Sequence, residues 1–172
     1  MIWNLFLYPL GGPAQKLLSI IGLRSNFLGS PDTAFPLVIL IMVWMSMGFA
    51  MVIYLAGLQT IPRDLIEAGL VDGATPFQSF YYILLPLLAP TISVNLLIGI
   101  IGSLKEWALV LLLTGGQFQT TLLGLQIYQT AFATGGGNQG YAAAISMLQF
   151  FLILIIAGVA YFFLHRREVS LV

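Results

Sequence analysis

The chain has 172 residues, of which 59% are hydrophobic and only 7% are charged, and its mean hydropathy is +1.00. A soluble domain averages about 25% charged residues, and a domain of this size cannot bury so much apolar surface in one water-soluble core. The composition therefore excludes a soluble globular protein and predicts a membrane protein. The net charge of zero argues against a polybasic arm for nucleic acid, and the lack of cysteine excludes a disulfide framework and thiolate metal sites.

Residues 1–34 precede the first long apolar run and are predicted to form an aqueous or interfacial segment. The start lacks a basic region, and Pro9, Gly11 and Gly12 interrupt its apolar run, which argues against a secretory signal. The first predicted span follows at 35–58, because roughly 20 apolar residues in a helix cross a bilayer.

The connection at 59–86 contains a large share of the few charged residues of the chain. Four of the twelve charged residues lie within ten positions, namely Arg63, Asp64, Glu67 and Asp72. Pro62 is predicted to be the first residue of a helix that ends at Gly73, and Thr75 and Pro76 are predicted to cap and start a second helix. The residues alone leave two interpretations open: an interfacial hairpin solvated by water, or a docking element for a soluble partner.

The second predicted span, at 87–113, has one polar or small face. This face comprises Asn95, Gly99, Gly102, Ser103 and Glu106, which recur at helical spacing. One continuous helix over this span would be about 40 Å long against a hydrocarbon core of about 30 Å. Lys105 and Glu106 would then lie in the outer half of the membrane or at its surface. Such a face indicates either a packing seam between helices or a polar pathway.

The connection at 114–140 is rich in Gly, Thr and Gln and contains an apolar piece at 122–132. This piece is too short to span and is predicted to be an interfacial or re-entrant helix. The third predicted span, at 141–164, is followed by the charged sequence HRRE. The fold class predicted is an all-α membrane protein with about three transmembrane helices. Lysine and arginine fall equally on the two sides, so the positive-inside rule does not choose an orientation.

Several motifs, in chain order, resemble those of ABC-importer permeases. The EAA signature of that family is matched by Glu67-Ala68-Gly69, Asp72-Gly73-Ala74, Ile83, Leu85-Pro86 and Pro90. The stretches "WMSMGFAMVIYLAGLQTIP", "LLTGG" and "YAAAIS" are similar to the carbohydrate-uptake branch, close to the maltose-type first permease. Gly69 departs from the signature, which usually has a second Ala there. The family has a six-helix core, and this chain resembles its last three helices with the preceding extracellular segment, so a truncated, split or fragmentary permease is expected.

The resemblance implies a topology and a set of partners. Residues 1–34 would be extracellular, whereas the loop at 61–86 and the tail at 165–172 would be cytoplasmic in a multi-pass protein of a bacterial or archaeal cell (inner) membrane. The expected partners are an ABC ATPase dimer, a second homologous permease, an extracytoplasmic sugar-binding protein and membrane lipid, with no nucleic acid. ATP and magnesium would be bound by the partner ATPase, and this chain would bind no cofactor.

The resemblance also implies two groups of site residues. The coupling helix that docks on the ATPase would include Arg63, Asp64, Glu67, Ala68, Gly69, Asp72 and Gly73. The substrate pathway would be lined by Met45, Ser46, Phe49, Gly102, Ser103 and Glu106. The family more often has an uncharged residue at the position of Glu106, which implies that the substrate differs.

Enzyme motifs are missing from the sequence. It contains no G-x-x-x-x-G-K-[ST] and no H-E-x-x-H, and its single histidine, His165, lies beside Arg166 and Arg167. We therefore predict no catalytic or metal-binding residue. Two alternatives to a permease stay open: a permease-derived membrane scaffold without transport activity, and a secondary transporter or channel, for which Glu106 is the only candidate buried acid.

Overall fold

A computed structural model describes residues 2–8, 11–20, 26–133 and 137–169, with the backbone alone at 133 and 165–169. The described residues form helices and turns without a β-strand, which confirms the predicted all-α fold. The helices are α1 (Ile2–Phe6), α2 (Pro13–Ile20), α3 (Pro31–Gln59), α4 (Arg63–Val71), α5 (Pro76–Ser79), α6 (Leu85–Leu87), α7 (Ala89–Lys105), α8 (Ala108–Leu113), α9 (Leu123–Tyr128) and α10 (Gln139–Val169). A 3-10 turn at Phe27–Gly29 precedes α3, and π-helical turns at Phe80–Leu84 and Gln129–Ala133 follow α5 and α9.

Two helices are long and apolar enough to cross a membrane. Helix α3 has 29 residues and a mean hydropathy of 2.4, and the stretch Gln139–Leu164 of α10 has 26 residues and a mean hydropathy of 2.5. Most side chains of both helices are exposed, including Phe49 and Phe151. Helices that are apolar all round are typical of segments surrounded by lipid or by other helices.

The second span differs from the continuous helix expected over 87–113. Helix α7 ends at Lys105, residues 106 and 107 are not helical, and α8 begins at Ala108. At its start, α7 makes an angle of 65° with the helical segment Pro76–Leu87, so the two form either one broken span or a re-entrant loop. The structure therefore does not have one uninterrupted helix over 87–113.

The chain divides into two compact units. The first comprises Met1–Ser46 and Ser103–Phe151. Its apolar core is formed by Leu7, Ala14, Leu28, Val38, Ile41, Val110, Leu113 and Leu125. Ile41, Val110 and Leu125 are fully buried, so the short helices α8 and α9 are anchored on α3 within this unit.

The second unit comprises Met47–Gly102 and Leu152–Val172. Within it, Gly57 of α3 is buried against the side chain of Thr91, so that a Cβ at position 57 would collide with it. The close approach places α3 and α7 in direct contact at a glycine, as is common between membrane helices.

Some of the sequence predictions fall on residues outside the described ranges. They concern Pro9, residues 21–25 of the turn-rich stretch before the first span, and 170–172 of the tail. For the charged residues 165–168 the backbone continues as helix, and their side chains are not described.

Candidate functional site

Helix α4 presents the charged residues of the loop to solvent. It begins at Arg63, one residue later than predicted, because Pro62 has an extended backbone with ψ of 130° and occupies the N-cap position. Asp64 lies in the first turn, where the helix dipole favours a negative charge. Arg63, Asp64 and Glu67 are all exposed.

Helix α4 ends at Val71, and Gly73 is the terminating glycine that the sequence predicts. Asp72 is the C-cap residue, and Gly73 follows with φ of +80°. The backbone N–H of Ala74 donates to the carbonyl of Gly69 at 2.9 Å, and that of Gly73 donates to Leu70 at 3.1 Å. These two bonds form a Schellman motif, in which glycine adopts a left-handed conformation without a Cβ penalty.

Gly69, where the chain departs from the family signature, lies in a tight contact. The residue is buried, and a Cβ built on it would collide with Cδ1 of Ile83. Ile83 belongs to the π-helical turn Phe80–Leu84, so the glycine lets α4 approach that turn closely. The departure from alanine therefore has a packing reason within this loop.

A capping box starts the second helix of the loop, as Thr75 and Pro76 predict. The backbone N–H of Thr75 donates to Oε1 of Gln78 at 2.8 Å, and the N–H of Gln78 donates to Oγ1 of Thr75 at 3.4 Å. Pro76 occupies the first turn of α5. The end of α4 and the start of α5 are thus both capped by groups that lie close to them in the sequence.

The seven predicted coupling residues lie together on α4 and its cap. They are Arg63, Asp64, Glu67, Ala68, Gly69, Asp72 and Gly73, and all except Gly69 are exposed. Large apolar side chains are exposed beside them, with Val71 exposed by 87% and Phe77 by 77%. A surface that combines carboxylates with uncovered apolar side chains is suited to contact with another protein.

The second candidate region is the break between α7 and α8. Oε1 of Glu106 accepts hydrogen bonds from the backbone N–H groups of Trp107, at 3.1 Å, and Leu109, at 2.9 Å. These two donors would otherwise lack partners at the start of α8. Glu106 therefore caps α8, and it does not continue the polar face of α7 as predicted.

Two side chains from distant parts of the chain bind carbonyl groups at the C-terminal ends of α7 and α8. Nε2 of Gln149, on α10, donates to the carbonyl of Leu104 at 2.8 Å. Nδ2 of Asn4, on α1, donates to the carbonyls of Leu112 and Leu113 at 2.9 and 3.1 Å. Carbonyl groups at the ends of α7 and α8 thus receive donors from outside those helices.

Helix α9 covers the break from another side. A Cβ on Gly124 would lie 3.1 Å from the carbonyl oxygen of Glu106 and 3.2 Å from Cβ of Trp107, so only glycine fits without displacement. The rings of Trp107 and Tyr128 stack at 4.5 Å with an interplanar angle of 20°. A cleft of about 320 Å³, lined in part by Lys105, this ring pair and Gln149, opens beside them.

The predicted pathway residues lie on two helices. Gly102 and Ser103 are exposed in the last turn of α7, and Met45, Ser46 and Phe49 are exposed on α3. The described residues approach no closer than 4 Å to a Cβ built on Gly99 or Gly102, so they form no packing seam at these two positions. The small face of α7 is uncovered by them at both glycines.

Sequence reasoning missed Gln149, Trp107, Gly124 and Asn4. Gln149 could have been found, because between 147 and 164 only it and Tyr161 have polar side chains. A polar residue in an apolar span needs a hydrogen-bond partner. The pairing of that residue with the Leu104 carbonyl, 45 positions away, has no sequence signal.

Comparisons with known proteins agree with the fold. The family described as binding-protein-dependent transport system inner membrane component matches residues 1–169. The trehalose/maltose transport system permease protein MalF of Thermococcus litoralis is 37% identical over 158 residues, which cover 88% of this chain and 52% of that protein.

Two solved structures are also similar. A bacterial ABC transporter involved in the import of the acidic polysaccharide alginate has a chain with a TM-score of 0.83 and 31% identity, covering 96% of this chain and 58% of that one. A bacterial alginate ABC transporter in complex with an alginate pentasaccharide-bound periplasmic protein gives a TM-score of 0.74 and 30% identity, covering 95% of this chain and 56% of that one.

The chain spans about half the length of the MalF protein and of the two alginate-transporter chains. The family match nevertheless extends over almost the whole sequence, and it agrees with the ordered motifs of the loop at 61–86. This chain belongs to the inner-membrane components of binding-protein-dependent transport systems, the permeases of ABC importers.

Proposed function

We propose that the chain is a membrane-spanning part of the permease of an ATP-driven importer for a sugar or a related polar solute. In this proposal the loop at 61–86 docks on a separate ABC ATPase, which binds ATP and magnesium, and its movement drives alternating access. The loop and the C-terminus are cytoplasmic, and residues 1–34 are extracellular. A second homologous permease and an extracytoplasmic sugar-binding protein complete the importer.

The observation on which the proposal depends is the self-contained geometry of the loop. A Schellman motif at Gly73 and a capping box at Thr75 fix the two short helices, and Gly69 packs against Ile83 between them. Such an element can transmit displacement, because its internal hydrogen bonds need no partner from elsewhere. Its exposed acidic and apolar side chains supply a surface for a soluble protein.

The proposed pathway uses the open faces of α3 and α7. Gly102 and Ser103 offer space and a hydroxyl group on α7, with Glu106 directly after them. Met45, Ser46 and Phe49 provide a polar and aromatic surface on α3. Hydroxyl groups bind sugar hydroxyls, and an aromatic ring packs against the apolar face of a sugar. The sugar names of the matched relatives support this substrate class.

The coupling proposal is tested by the change Glu67→Ala in the affinity-tagged chain, purified from its own host membranes. We expect an ABC ATPase to copurify with the wild-type chain, and the ATP hydrolysis that copurifies to fall several-fold in the variant. Asp32→Asn changes an exposed acid in the first turn of α3 and should have no such effect. A wild-type chain that inserts stably without any ATPase would instead identify a permease-derived scaffold.

The pathway proposal is tested by Ser103→Leu in membrane vesicles that contain the whole importer. We expect the ratio of maltose uptake to alginate-oligosaccharide uptake to change, because a bulky apolar side chain replaces a hydroxyl in the open face of α7. Ser19→Leu, at an exposed serine of α2, is the matched control. An unchanged ratio with normal assembly would assign the face of α7 to packing against another subunit.

A further inference from the structure

We propose that Gln149 and Glu106 are positioning residues of the transport pathway, which hold the second span broken at Glu106–Trp107. The inference rests on the proposed function, in which the last turn of α7 lines that pathway. It gives α10 a role in shaping the pathway, since Gln149 lies on the third span.

The broken span needs these partners because its backbone is freed from helical pairing. The last carbonyls of one helix and the first N–H groups of the next have no partner within the helix, and an unpaired backbone group is strongly unfavourable in lipid. Gln149 donates to the Leu104 carbonyl at 2.8 Å, and Glu106 accepts from the N–H groups of Trp107 and Leu109 at 3.1 and 2.9 Å. On each side of the break, a side chain therefore pairs part of the freed backbone: Gln149 binds one carbonyl, and Glu106 binds two N–H groups.

A continuous helix is the competing state. In that state the Leu104 carbonyl would accept from the N–H of Ala108, four residues on, and Gln149 would lose its partner. The carboxylate of Glu106 would likewise lose the two N–H groups, because these would be paired within the helix. The two side chains therefore favour the broken state over the continuous one.

The broken state determines how the last turn of α7 is presented. Leu104 directly follows Ser103, so a bond to the Leu104 carbonyl restrains the backbone of the last turn of α7, from which the Ser103 side chain projects. Gln149 is half-buried and lies 45 positions away in the sequence. A displacement of α10 would thus act on the end of α7 that faces the proposed pathway.

Two matched sets of variants test the roles of the side chains. Glu106→Gln keeps a carbonyl acceptor, whereas Glu106→Met has a similar unbranched shape without one. Gln149→Met removes the donor, and Gln126→Met makes the same change at an exposed glutamine of α9. If Gln149→Met fails to accumulate in membranes, Gln149→Asn, which is one methylene shorter, tests the same bond.

Two measurements on these variants do not depend on transport. The first is hydrogen exchange of the Trp107 and Leu109 amides in the purified protein. The second is the rate at which a water-soluble maleimide labels Ser103→Cys, which introduces a single thiol into a sequence of 172 residues that has no cysteine. Uptake of maltose and of alginate oligosaccharide by the whole importer is measured separately.

We expect exchange to become about ten-fold faster or more in Glu106→Met, since two hydrogen bonds to a charged group are lost, and to change little in Glu106→Gln. The labelling rate at position 103 should change several-fold in Gln149→Met and remain unchanged in Gln126→Met. The KM for uptake should rise in Gln149→Met. Unchanged exchange and labelling in both methionine variants would overturn the inference.

The two proposals can fail separately. If exchange and labelling respond as expected but the wild-type importer takes up neither probe sugar, the proposed substrate class fails and the positioning of α7 stands. If the wild-type importer transports and the KM of Gln149→Met equals that of Gln126→Met, the positioning role in transport is wrong.

Discussion

The loop at 61–86 and the break at Glu106–Trp107 both end one helix and begin another, but they satisfy the freed backbone groups in different ways. In the loop, the bonds from Ala74 to Gly69 and from Thr75 to Gln78 close within five residues. At the break, one partner comes from a residue 45 positions away, and the far end of α8 is bound by Asn4, 108 positions from Leu112.

This difference separates two kinds of structural element. The loop keeps its shape through its own sequence, so it can move as a unit when a partner acts on it. The break is capped locally by Glu106 but also depends on contacts with α9 and α10, so its shape changes if either of these helices shifts. The proposed function would use both properties, because it has the loop transmit a displacement and the end of α7 respond to it.

The largest expected effect is at the break, where Gly124→Val would disrupt the contact with α9. The added Cβ would lie 3.1 Å from the carbonyl oxygen of Glu106 and 3.4 Å from that of Lys105, and backbone atoms cannot rotate away. Overpacking of this kind costs about 1–3 kcal/mol. We expect Gly124→Val to lower the free energy of unfolding by this amount, as measured by detergent titration.

Gly158→Val is the control for this prediction. The described residues leave open space around Gly158 on α10, and the substitution is identical. Equal stability of the two variants would mean that α9 does not pack closely against the backbone at the break.

An intermediate effect is expected in the loop, where Gly73→Ala places a Cβ on a left-handed residue. The φ of +80° is unfavourable for L-residues by roughly 1–2 kcal/mol, and the Cβ meets nothing within 4 Å, so the cost is one of backbone conformation alone. Hydrogen exchange at the Ala74 amide, which binds the Gly69 carbonyl, should accelerate accordingly.

Gly73→Asn sharpens this prediction, because asparagine tolerates the left-handed region better than alanine. The asparagine variant should exchange more slowly than the alanine variant. The same acceleration in both would show that the Schellman motif does not depend on the backbone preference at position 73.

The contrast between local and distant partners also explains what could be predicted from the sequence. Gly73, Thr75 and Pro76 are local signals with known backbone preferences, and the structure has a helix end and a helix start where they predict them. The apolar runs within α3 and α10 likewise predict helices, because lipid requires the backbone to be paired within the segment.

The break was beyond such reasoning. Residues 107–113 are apolar, and their pattern predicts that the second span continues through them. Hydrophobic periodicity does not reveal a hydrogen bond from an amide side chain on another helix. The family resemblance implies Glu106 as a pathway residue, and the structure adds that its carboxylate accepts a hydrogen bond from the backbone N–H of Leu109. The proposed pathway roles of Gly102, Ser103, Glu106 and the residues of α3 stay predictions.

The smallest expected effect is that of Gly69→Ala, which would restore the usual residue of the family signature. Alanine favours the helix by up to about 1 kcal/mol over glycine, but its Cβ would collide with Cδ1 of Ile83. That atom ends a flexible side chain, and the next atom of Ile83, Cγ1, lies at 3.9 Å, so a change of rotamer relieves the contact. The two effects should nearly cancel in the free energy of unfolding.

A double-mutant cycle separates the two terms. Ile83→Val removes Cδ1, so Gly69→Ala in that background should show the helix preference without the collision and should stabilise the protein by up to about 1 kcal/mol. If Gly69→Ala changes the free energy of unfolding equally in both backgrounds, the contact with Ile83 does not explain why position 69 is glycine. A coupling between the two positions would instead show that the contact with Ile83 opposes a Cβ at position 69, where glycine lets α4 approach the π-helical turn.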